Sequence, residues 1–413
     1  MYDLIIIGSG ASGLIAAITA SRNNLKVLLI EKMNQCGRKL RITGKGRCNL
    51  TNTLPLDEFL THCNNPDNFL LPAFSQFFSK DLISFMEELG VETKVERGSR
   101  VFPKSDKALD VFLGMMNEIE NSNIDLIKNS RVEKIIIKDK QAKGVKLSNS
   151  KEYFADNIIL AAGGESYPLT GSQGDGIRLA KDSGHKIIPT IPGLVGLILD
   201  FHFTKQETDF GLRNIKAKVL DSKGEDLCEE LGEMNFASDG VYGPIILSLN
   251  RRIARKIHNK ERLTLSIDLK PALSSEKLNN KLISELDQRA YETIASSLRA
   301  FLPKNLIDLA LDITKISSSK KSSMINPKER ESIIRFLKDL RFEIIGDFGY
   351  EEAIITIGGV DVKEIDSNTM ESKIVKGLYF AGEVMDLDAD TGGYNLQIAF
   401  STGYLAAKTI SEK

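Results

Sequence analysis

A short run of glycines near the N-terminus, followed at a set distance by an acid, has the spacing of a phosphate-bearing cofactor site. The run is G-S-G-A-S-G, from Gly8 to Gly13, and it fits the pattern G-x-G-x-x-G. In that pattern Gly8 makes a tight turn, Gly10 lets the backbone approach a pyrophosphate, and Gly13 lets a helix pack closely on a strand. Glu31 follows eighteen residues after Gly13, where an acid binds ribose hydroxyls. These residues predict a dinucleotide site.

A second stretch places cations among glycines shortly after Glu31. It runs from Gly37 to Asn52 and reads G-R-K-L-R-I-T-G-K-G-R-C-N-L-T-N. Arg38 and Lys39 follow Glu31 closely enough to donate charge-assisted hydrogen bonds to the pyrophosphate of the same cofactor. The alternative interpretation is a solvated basic loop.

The later part of this stretch indicates which dinucleotide is bound. T-G-K-G, from Thr43 to Gly46, is unfavourable for a regular helix and predicts backbone that lies flat against a ligand. Arg47 and Asn49 would then border a flavin ring that extends from the pyrophosphate, which favours FAD. A second glycine motif for NAD(P) is not predicted, because G-S-Q-G-D-G (residues 171–176) follows a loop instead of a strand.

Two further strand-like runs end in residues suited to the flavin half of FAD. I-I-L-A-A-G-G ends in Gly163 and Gly164, and G-L-Y-F-A-G-E ends in Gly382 and Glu383. The carboxylate at this strand end can bind ribityl hydroxyls. The following run, D-L-D-A-D-T-G-G-Y-N-L-Q, predicts a helix that begins near Tyr394 with its positive end toward flavin O2 and N1, which become anionic on reduction. An ordinary strand–turn–helix unit is the alternative.

These residues need a parallel sheet to bring them together. Short apolar runs predict parallel strands at 4–7, 26–30, 124–127 and from Ile158 onward. The runs at 4–7 and from Ile158 onward are typical of buried strands. Helices are predicted after Gly13 and over 108–120, and 69–89 has apolar residues at helical spacing. Two hairpins are predicted, with strands at 91–96 and 100–102 and at 132–137 and 142–147.

Length and composition bound the class of protein. The chain has 413 residues, an apolar fraction of 42% and a formal net charge of −1. This length suits two or three domains, and the near-neutral charge gives no broad basic field for nucleic acid or an anionic membrane. No apolar run approaches the roughly 20 residues that span a bilayer, and the N-terminus lacks the basic region of a signal peptide. Four scattered cysteines predict reduced thiols in a cytoplasmic protein without a metal site.

The middle of the chain lacks the glycine motifs and predicts a different arrangement of strands and helices. Residues 190–345 predict an insert that is β-rich at first and helical over about 271–340, with the polar loop S-S-S-K-K-S-S (317–323) as a solvated connection. Residues 1–189 and 346–413 then form one FAD-binding domain in two segments.

Taken together, the motifs resemble a bacterial family of NAD(P)/FAD-dependent oxidoreductases. This family includes the aminoacetone oxidase family of FAD-binding enzymes and members of the bile-acid-reductase type. The matching segments are 37–52, 161–176 (A-A-G-G-E-S-Y-P-L-T-G-S-Q-G-D-G), 356–360 (T-I-G-G-V) and 380–397. R-C-N-L-T-N and T-G-G-Y-N-L-Q are the most specific of these motifs.

The resemblance implies an α/β fold, a glutathione-reductase-like FAD-binding Rossmann domain split by an insert with a β-barrel-like part and a helical part. It implies that Val132 holds the adenine through its backbone. The other FAD contacts it implies are Gly8, Gly10, Ser12, Gly13, Glu31, Lys32, Arg38, Lys39, Arg47, Asn49, Gly163, Gly382, Glu383, Gly393, Asn395 and Leu396. One departure concerns the turn that begins Phe236-Ala237-Ser238, where relatives often carry Phe-Thr-His. The role of that histidine is therefore not carried over.

Several functions are compatible with these residues. The prediction is an FAD-dependent oxidoreductase that moves a hydride between flavin N5 and a small organic substrate. It would either oxidise an amine or alcohol with oxygen or reduce an activated double bond with NAD(P)H, and no C-x4-C pair supports disulfide reductase chemistry. The alternatives are a flavin-dependent RNA-modifying or partner-binding protein, and a non-catalytic redox sensor that uses Cys48. Neither nucleic acid nor a membrane is an expected partner.

Hydride chemistry also needs a group that handles a proton. The four histidines lie outside the flavin motifs. Tyr167 is the candidate, because it follows the Gly163–Gly164 turn and Pro168 stiffens its loop; Asn49 would orient the substrate. Packing of the Tyr167 ring against the flavin edge is the alternative.

Overall fold

The computed structural model describes residues 1–208 and 211–413. The chain forms two compact units, Met1–Gly193 with Tyr350–Lys413 and Leu194–Gly349. The second unit starts and ends four residues later than the predicted insert (194 against 190, and 349 against 345).

The strands alternate with helices along much of the chain. The strands are β1 Leu4–Ile7, β2 Val27–Ile30, β3 Thr51–Asn52, β4 Thr93–Glu96, β5 Arg100–Pro103, β6 Ile124–Ile127, β7 Val132–Lys138, β8 Gln141–Leu147, β9 Glu152–Phe154, β10 Ile158–Leu160, β11 Ile187–Gly193, β12 Leu197–Leu199, β13 Gly211–Leu220, β14 Asp226–Ala237, β15 Gly240–Tyr242, β16 Leu263–Asp268, β17 Leu340–Asp347, β18 Ile355–Val360 and β19 Leu378–Phe380. The helices are α1 Ala11–Arg22, α2 Leu56–Thr61, α3 Leu71–Gln76, α4 Ser79–Glu88, α5 Ala108–Glu120, α6 Asp175–Asp182, α7 Lys205–Thr208, α8 Pro244–His258, α9 Ser275–Gln288, α10 Ile294–Leu298, α11 Ile307–Thr314, α12 Pro327–Lys338 and α13 Tyr394–Ser411.

The first unit is built on a parallel sheet with the order β19-β10-β1-β2-β6. Every residue of β1, β2, β10 and β19 is buried, as the apolar runs of β1 and β10 predict. The predicted strand Ile124–Ile127 is confirmed as β6, parallel to β2. Because all five strands run the same way, their carboxyl ends and the residues that follow them lie along one edge of the sheet.

The helical prediction over residues 69–89 is divided in the structure. Phe77 and Phe78 have extended backbone between α3 and α4. The extended Phe77 turns its carbonyl oxygen to the Ser401 hydroxyl of α13, 2.6 Å away, and its ring stacks on Tyr404 at a centroid distance of 4.4 Å. These contacts with α13 take the place of the helical hydrogen bonds that a continuous helix would make.

The first unit also contains two small antiparallel sheets. The predicted hairpins are confirmed as β4–β5 and β7–β8, and they are extended to three strands by β3 and β9 respectively. Strands β11 and β18 form a further antiparallel pair.

The second unit contains the barrel-like and helical parts that the resemblance implies. Its strands close into a barrel with the order β12-β15-β14-β13-β16-β17. Phe203, Phe236 and Phe342 pack together in its core, and α9 to α12 form the helical part. Among residues 1–208 and 211–413, every helix falls short of the length and apolar character that crossing a membrane requires.

Candidate functional site

The carboxyl edge of the parallel sheet collects the predicted motifs. Gly8 follows β1, Glu31 follows β2, Gly163 lies just beyond β10, and Gly382 lies just beyond β19. Ser12, in the first turn of α1, donates a 3.4 Å hydrogen bond from its hydroxyl to the Ala381 carbonyl. The sheet therefore brings together segments from both ends and the middle of the sequence.

The three motif glycines have different structural causes. A Cβ on Gly8 would lie 2.5 Å from the Ala161 carbonyl oxygen, and one on Gly13 would lie 1.9 Å from the Gly8 carbonyl oxygen. A Cβ on Gly10 would meet no protein atom within 4 Å, and its φ of −76° is open to any residue. Protein packing thus explains why Gly8 and Gly13 are glycines. It does not explain Gly10, whereas a ligand that lies against the backbone there would.

Glu31 is held beside the glycine turn. Its carboxylate accepts hydrogen bonds from the Ser9 backbone N–H at 3.1 Å, from the Ser9 hydroxyl, and from the Met33 backbone N–H at 2.8 Å. These donors fix the orientation of the carboxylate next to the start of α1. Binding of ribose hydroxyls by Glu31 stays a prediction.

Lys32 contacts a carboxylate of the G-S-Q-G-D-G segment, and its contact with FAD stays a prediction. Its Nζ lies 2.6 Å from Asp175 Oδ2 at the start of α6, and Arg131 binds the other oxygen of the same carboxylate. Burial raises the pKa of Asp175, but the hydrogen bonds from Arg131 and Lys32 outweigh it and leave this pKa below its usual range. The G-S-Q-G-D-G segment is therefore packed against the residue after Glu31, and its helix follows a loop, as predicted.

The two neighbouring cations of the second motif differ in their partners. Arg38 is half-buried, and its guanidinium forms no hydrogen bond or ion pair with the described residues. Lys39 Nζ instead lies 2.7 Å from Glu383 Oε2 and 2.5 Å from the Ser166 hydroxyl. Of the two, Arg38 is the one with hydrogen-bonding capacity left for a pyrophosphate.

Glu383 joins four of the predicted motif segments. Besides Lys39 it accepts hydrogen bonds from the Ser166 hydroxyl at 3.1 Å and from the Thr356 backbone N–H at 2.8 Å. The Thr356 hydroxyl in turn accepts from the Glu165 and Ser166 backbone N–H groups. The T-I-G-G-V segment thereby ties Glu383 to the loop that carries Tyr167.

The turn through Thr43–Gly46 is irregular, as predicted. Residues 40–46 form 3₁₀ turns interrupted at Thr43, Gly44 and Lys45, and both Gly44 and Lys45 have φ of 57°. Beyond this turn, the Asn49 side-chain oxygen is buried and has no hydrogen-bond partner among the described residues. A buried acceptor without a donor is costly, so the position suits a ligand that supplies an N–H.

Arg47 and Cys48 bear on two of the sequence predictions. The Arg47 guanidinium binds Glu96 and Asp106 and lies 4.1 Å from the centre of the Phe102 ring, so its contact with a flavin stays a prediction. Cys48 is fully buried, and burial raises its pKa to about 12. A thiol held protonated is a poor redox sensor, which removes the support for that alternative.

The first turn of α13 presents unpaired donors. The first hydrogen bond of the helix runs from the Gln397 backbone N–H to the Gly393 carbonyl. The backbone N–H groups of residues 394–396 therefore have no acceptor within the helix. A Cβ on Gly393 would lie 2.4 Å from the Thr51 carbonyl oxygen. The Asn395 side chain is bonded to the backbone of Ala389 and Asp390. For Asn395 and Leu396, the backbone is therefore the part available to a cofactor.

Tyr167 has an unusual conformation for a tyrosine. Its φ of 52° is left-handed, and its N–H is bonded to the Tyr350 carbonyl at 2.9 Å. Its phenol hydroxyl forms no hydrogen bond with the described residues, and burial, followed by the charge of Glu352, raises its pKa. Backbone strain of this kind costs about 1–3 kcal/mol and is concentrated at functional sites.

Val132 and two of the histidines have partners within the protein. The Val132 carbonyl, implied to contact adenine, accepts a 3.2 Å hydrogen bond from Arg178. Asp239 lies in the turn that lacks the family histidine, and its Oδ1 is 2.8 Å from Nδ1 of His202. His62, which sequence reasoning set aside, lies 3.0 Å from Asp390 in the loop before α13. No local motif could have revealed that contact, because the two residues are 328 positions apart.

The chain is similar over nearly its whole length to a known protein family, to known enzymes and to a solved structure. The model of the HI0933-like protein Rossmann domain matches residues 2–409. The chain is 33% identical to the 3-dehydro-bile acid delta(4,6)-reductase of Clostridium scindens, with 100% of both chains covered. It is 28% identical to the ribosomal RNA dihydrouridine synthase of Escherichia coli, over 99% of this chain and 98% of that one. Among solved structures, 3-ketosteroid delta1-dehydrogenase from Sterolibacterium denitrificans superposes with a TM-score of 0.53 at 14% identity, covering 100% and 99%.

The sheet, the glycine turn and the acid after β2 define a Rossmann-type FAD-binding domain, and the protein is an FAD-dependent oxidoreductase. The residues present fit that cofactor. Within residues 1–208 and 211–413, Gly10 faces open space, the Arg38 guanidinium has no bonded partner, and the Asn49 side-chain oxygen has no donor. The chain belongs to the HI0933-like family.

Proposed function

We propose that this protein reduces a carbon–carbon double bond conjugated to a carbonyl. The observation that carries the proposal is the phenol hydroxyl of Tyr167, which no residue of the described chain binds. Such a reduction adds a hydride to the carbon β to the carbonyl and a proton to the α carbon. A tyrosine phenol is protonated at neutral pH, and the Tyr167 hydroxyl has no hydrogen-bond partner among the described residues, so it can donate that proton to a substrate. Oxidation of an amine or alcohol would need a base there instead.

FAD supplies the hydride chemistry when bound, and the chain holds and orients it. We assign the adenosine and pyrophosphate half to the glycine turn, Glu31 and Arg38, and the flavin half to Asn49 and the first turn of α13. Lys39 acts indirectly in this scheme, because it neutralises Glu383. The other implied contacts stay predictions.

The names of the two relatives support reduction over oxidation. A 3-dehydro-bile acid with delta(4,6) double bonds is an unsaturated ketone, and dihydrouridine is uridine with one ring double bond saturated. Both names therefore describe saturation of a double bond conjugated to a carbonyl. A small unsaturated ketone is the first substrate candidate, with NADH or NADPH as the electron donor.

Uridine in RNA is the second candidate. It is favoured by the similarity to ribosomal RNA dihydrouridine synthases over nearly the whole chain. The formal net charge of −1 favours the small ketone, because RNA binding draws on a basic surface.

Anaerobic turnover tests the proposal. The holoprotein is mixed with NADH or NADPH and either a 3-oxo-Δ4 steroid or uridine-containing RNA, and products are followed by mass spectrometry. We expect a product that has gained two hydrogens. Product from neither substrate class, with amine or alcohol oxidised in a parallel aerobic assay, would overturn it.

Tyr167→Phe tests the proton donor, because it keeps the ring and removes only the hydroxyl. We expect full FAD content and a turnover reduced about 10²-fold or more. Turnover within about twofold of the wild type would leave Tyr167 as a packing residue.

A further inference from the structure

A buried hydrogen-bond network joins strand β3 to the first turns of α13. The Thr51 hydroxyl donates to Gln397 Oε1 at 2.5 Å, although the two residues are 346 positions apart. Gln397 Nε2 donates to the Ser401 hydroxyl at 2.8 Å and to the Phe77 carbonyl at 3.3 Å. Thr51, Gln397 and Ser401 are fully buried. Because the Phe77 carbonyl can only accept, the amide nitrogen of Gln397 faces it and the amide oxygen faces Thr51.

The backbones of the same two segments are also in close contact. A Cβ on Gly393 would lie 2.4 Å from the Thr51 carbonyl oxygen. Asn52, the next residue of β3, donates from Nδ2 to the Gly392 carbonyl at 3.3 Å. The glycine turn before α13 therefore lies directly on β3, and the Thr51–Gln397 hydrogen bond adds a side-chain link one turn further into the helix.

The two segments that meet here carry unused hydrogen-bonding groups. Asn49, two residues before Thr51, has a buried side-chain oxygen without a donor among the described residues. The backbone N–H groups of residues 394–396, directly after Gly393, have no acceptor within the helix. The pyrimidine ring of a flavin carries an N–H between two carbonyl oxygens, so an acceptor and a set of donors held at a fixed separation match its edge.

We propose that Thr51 and Gln397 are positioning residues, whose hydrogen bond holds the Asn49 oxygen and the first turn of α13 at the separation that the flavin requires. The hydroxyl proton of Thr51 and both amide protons of Gln397 are used within the protein, so these side chains act through the segments that they join. Holding the binding groups in place beforehand lowers the cost of ordering them when the ligand binds. The inference rests on the assignment of Asn49 and α13 to the flavin in the proposed function, and it is independent of the reaction that the enzyme catalyses.

Thr51→Val tests the proposal, because it keeps the shape of the side chain and removes the donor to Gln397. The dissociation constant of FAD is measured from flavin fluorescence on dilution of the holoprotein, and the visible absorption spectrum of bound FAD reports hydrogen bonds to its ring. We expect the dissociation constant to rise about fivefold or more, the equivalent of one hydrogen bond, and the absorption bands to shift. Thr51→Ser keeps the hydroxyl and should restore the wild-type affinity and spectrum.

Ser401→Ala is the matched control. It removes the hydroxyl on the other side of the Gln397 amide, whereas Gln397 keeps its hydrogen bonds to Thr51 and to the Phe77 carbonyl. We expect Ser401→Ala and Thr51→Val to lower the thermal stability of the protein by similar amounts. Only Thr51→Val should change the affinity for FAD and the spectrum of the bound cofactor.

Wild-type FAD affinity and spectrum in Thr51→Val would overturn the proposal, as would equal effects of Thr51→Val and Ser401→Ala on FAD binding. Thr51→Cys replaces Thr51→Val if the latter does not fold, because its thiol is a weak donor of similar size. It should weaken FAD binding by a smaller factor, and wild-type binding in Thr51→Cys would then overturn the proposal. Failure of the reductase assay with these binding results unchanged would count against the proposed reaction alone.

Discussion

The glycines of the first motif show that identical residues can be required for different reasons. Gly13 leaves room for the Gly8 carbonyl, whereas Gly10 faces open space. We predict that Gly13→Ala lowers the free energy of unfolding by about 1–3 kcal/mol, because the added methyl overlaps backbone. Gly10→Val should leave the stability of the FAD-free protein within about 0.5 kcal/mol of the wild type but abolish FAD retention. Thermal unfolding and the flavin-to-protein absorbance ratio measure the two effects, and retained FAD in Gly10→Val would be inconsistent with the assigned site.

The half-buried guanidinium of Arg38 gives a second prediction at this scale. A cation without a protein partner gains a charge-assisted hydrogen bond when a pyrophosphate binds. Arg38→Gln should therefore weaken FAD binding by about tenfold, corresponding to roughly 1.5 kcal/mol. Arg22→Gln is the control, since Arg22 is bonded to Glu88 and Glu118. Equal FAD affinity in Arg38→Gln and Arg22→Gln would place the pyrophosphate elsewhere.

The sequence indicated the candidate site residues but not every contact between them, and the reason is physical. Gly8, Gly13 and Glu31 are linked by one strand–helix–strand unit, so local geometry fixes where they lie. Lys39 and Glu383 are 344 positions apart, and only the folded sheet brings their charges together. The sequence could predict that both belong at the site, but not that each would bind the other.

At the scale of elements, α6 depends on a carboxylate clamped by two cations. The pKa of Asp175 is lowered in the folded protein. Its carboxylate therefore stabilises the folded state fully above the pKa of the unfolded chain, near 3.9, and this stabilisation is lost as the pH falls through the folded pKa. Asp175→Asn should lower the free energy of unfolding by about 1.5–3 kcal/mol at pH 7. The difference from the wild type should shrink below about pH 4. Urea denaturation at several pH values measures this, and a difference that is constant with pH would exclude an electrostatic cause.

Helices and strands were predictable where a single periodicity dominates. The helix Ala108–Glu120 and the buried strands of the parallel sheet agree with their patterns. The break at Phe77–Phe78 was not predictable, because both phenylalanines fit a helical face and the cause is a tertiary contact with α13. The sequence likewise indicated that α13 begins near Tyr394, but the hydrogen bond from Thr51 to Gln397 of this helix needed the fold.

At the scale of the whole molecule, each unit has its own apolar core. The FAD-binding unit carries the motif residues discussed above, and its two segments lie at the two ends of the sequence. Motif density could therefore predict the FAD-binding fold. The second unit has weaker sequence signals, since a closed barrel is set by strand pairings between distant segments.

The central claim is that the reduced enzyme saturates a double bond conjugated to a carbonyl. The most direct measurement is a single turnover without oxygen, in which the holoprotein is reduced with dithionite and a 3-oxo-Δ4 steroid or uridine-containing RNA is then added. Chemical reduction makes the result independent of the physiological electron donor. We expect that the visible absorption of oxidised flavin returns and that one saturated product forms per flavin. A flavin that stays reduced with both substrates, yet is reoxidised when oxygen is admitted, would contradict it.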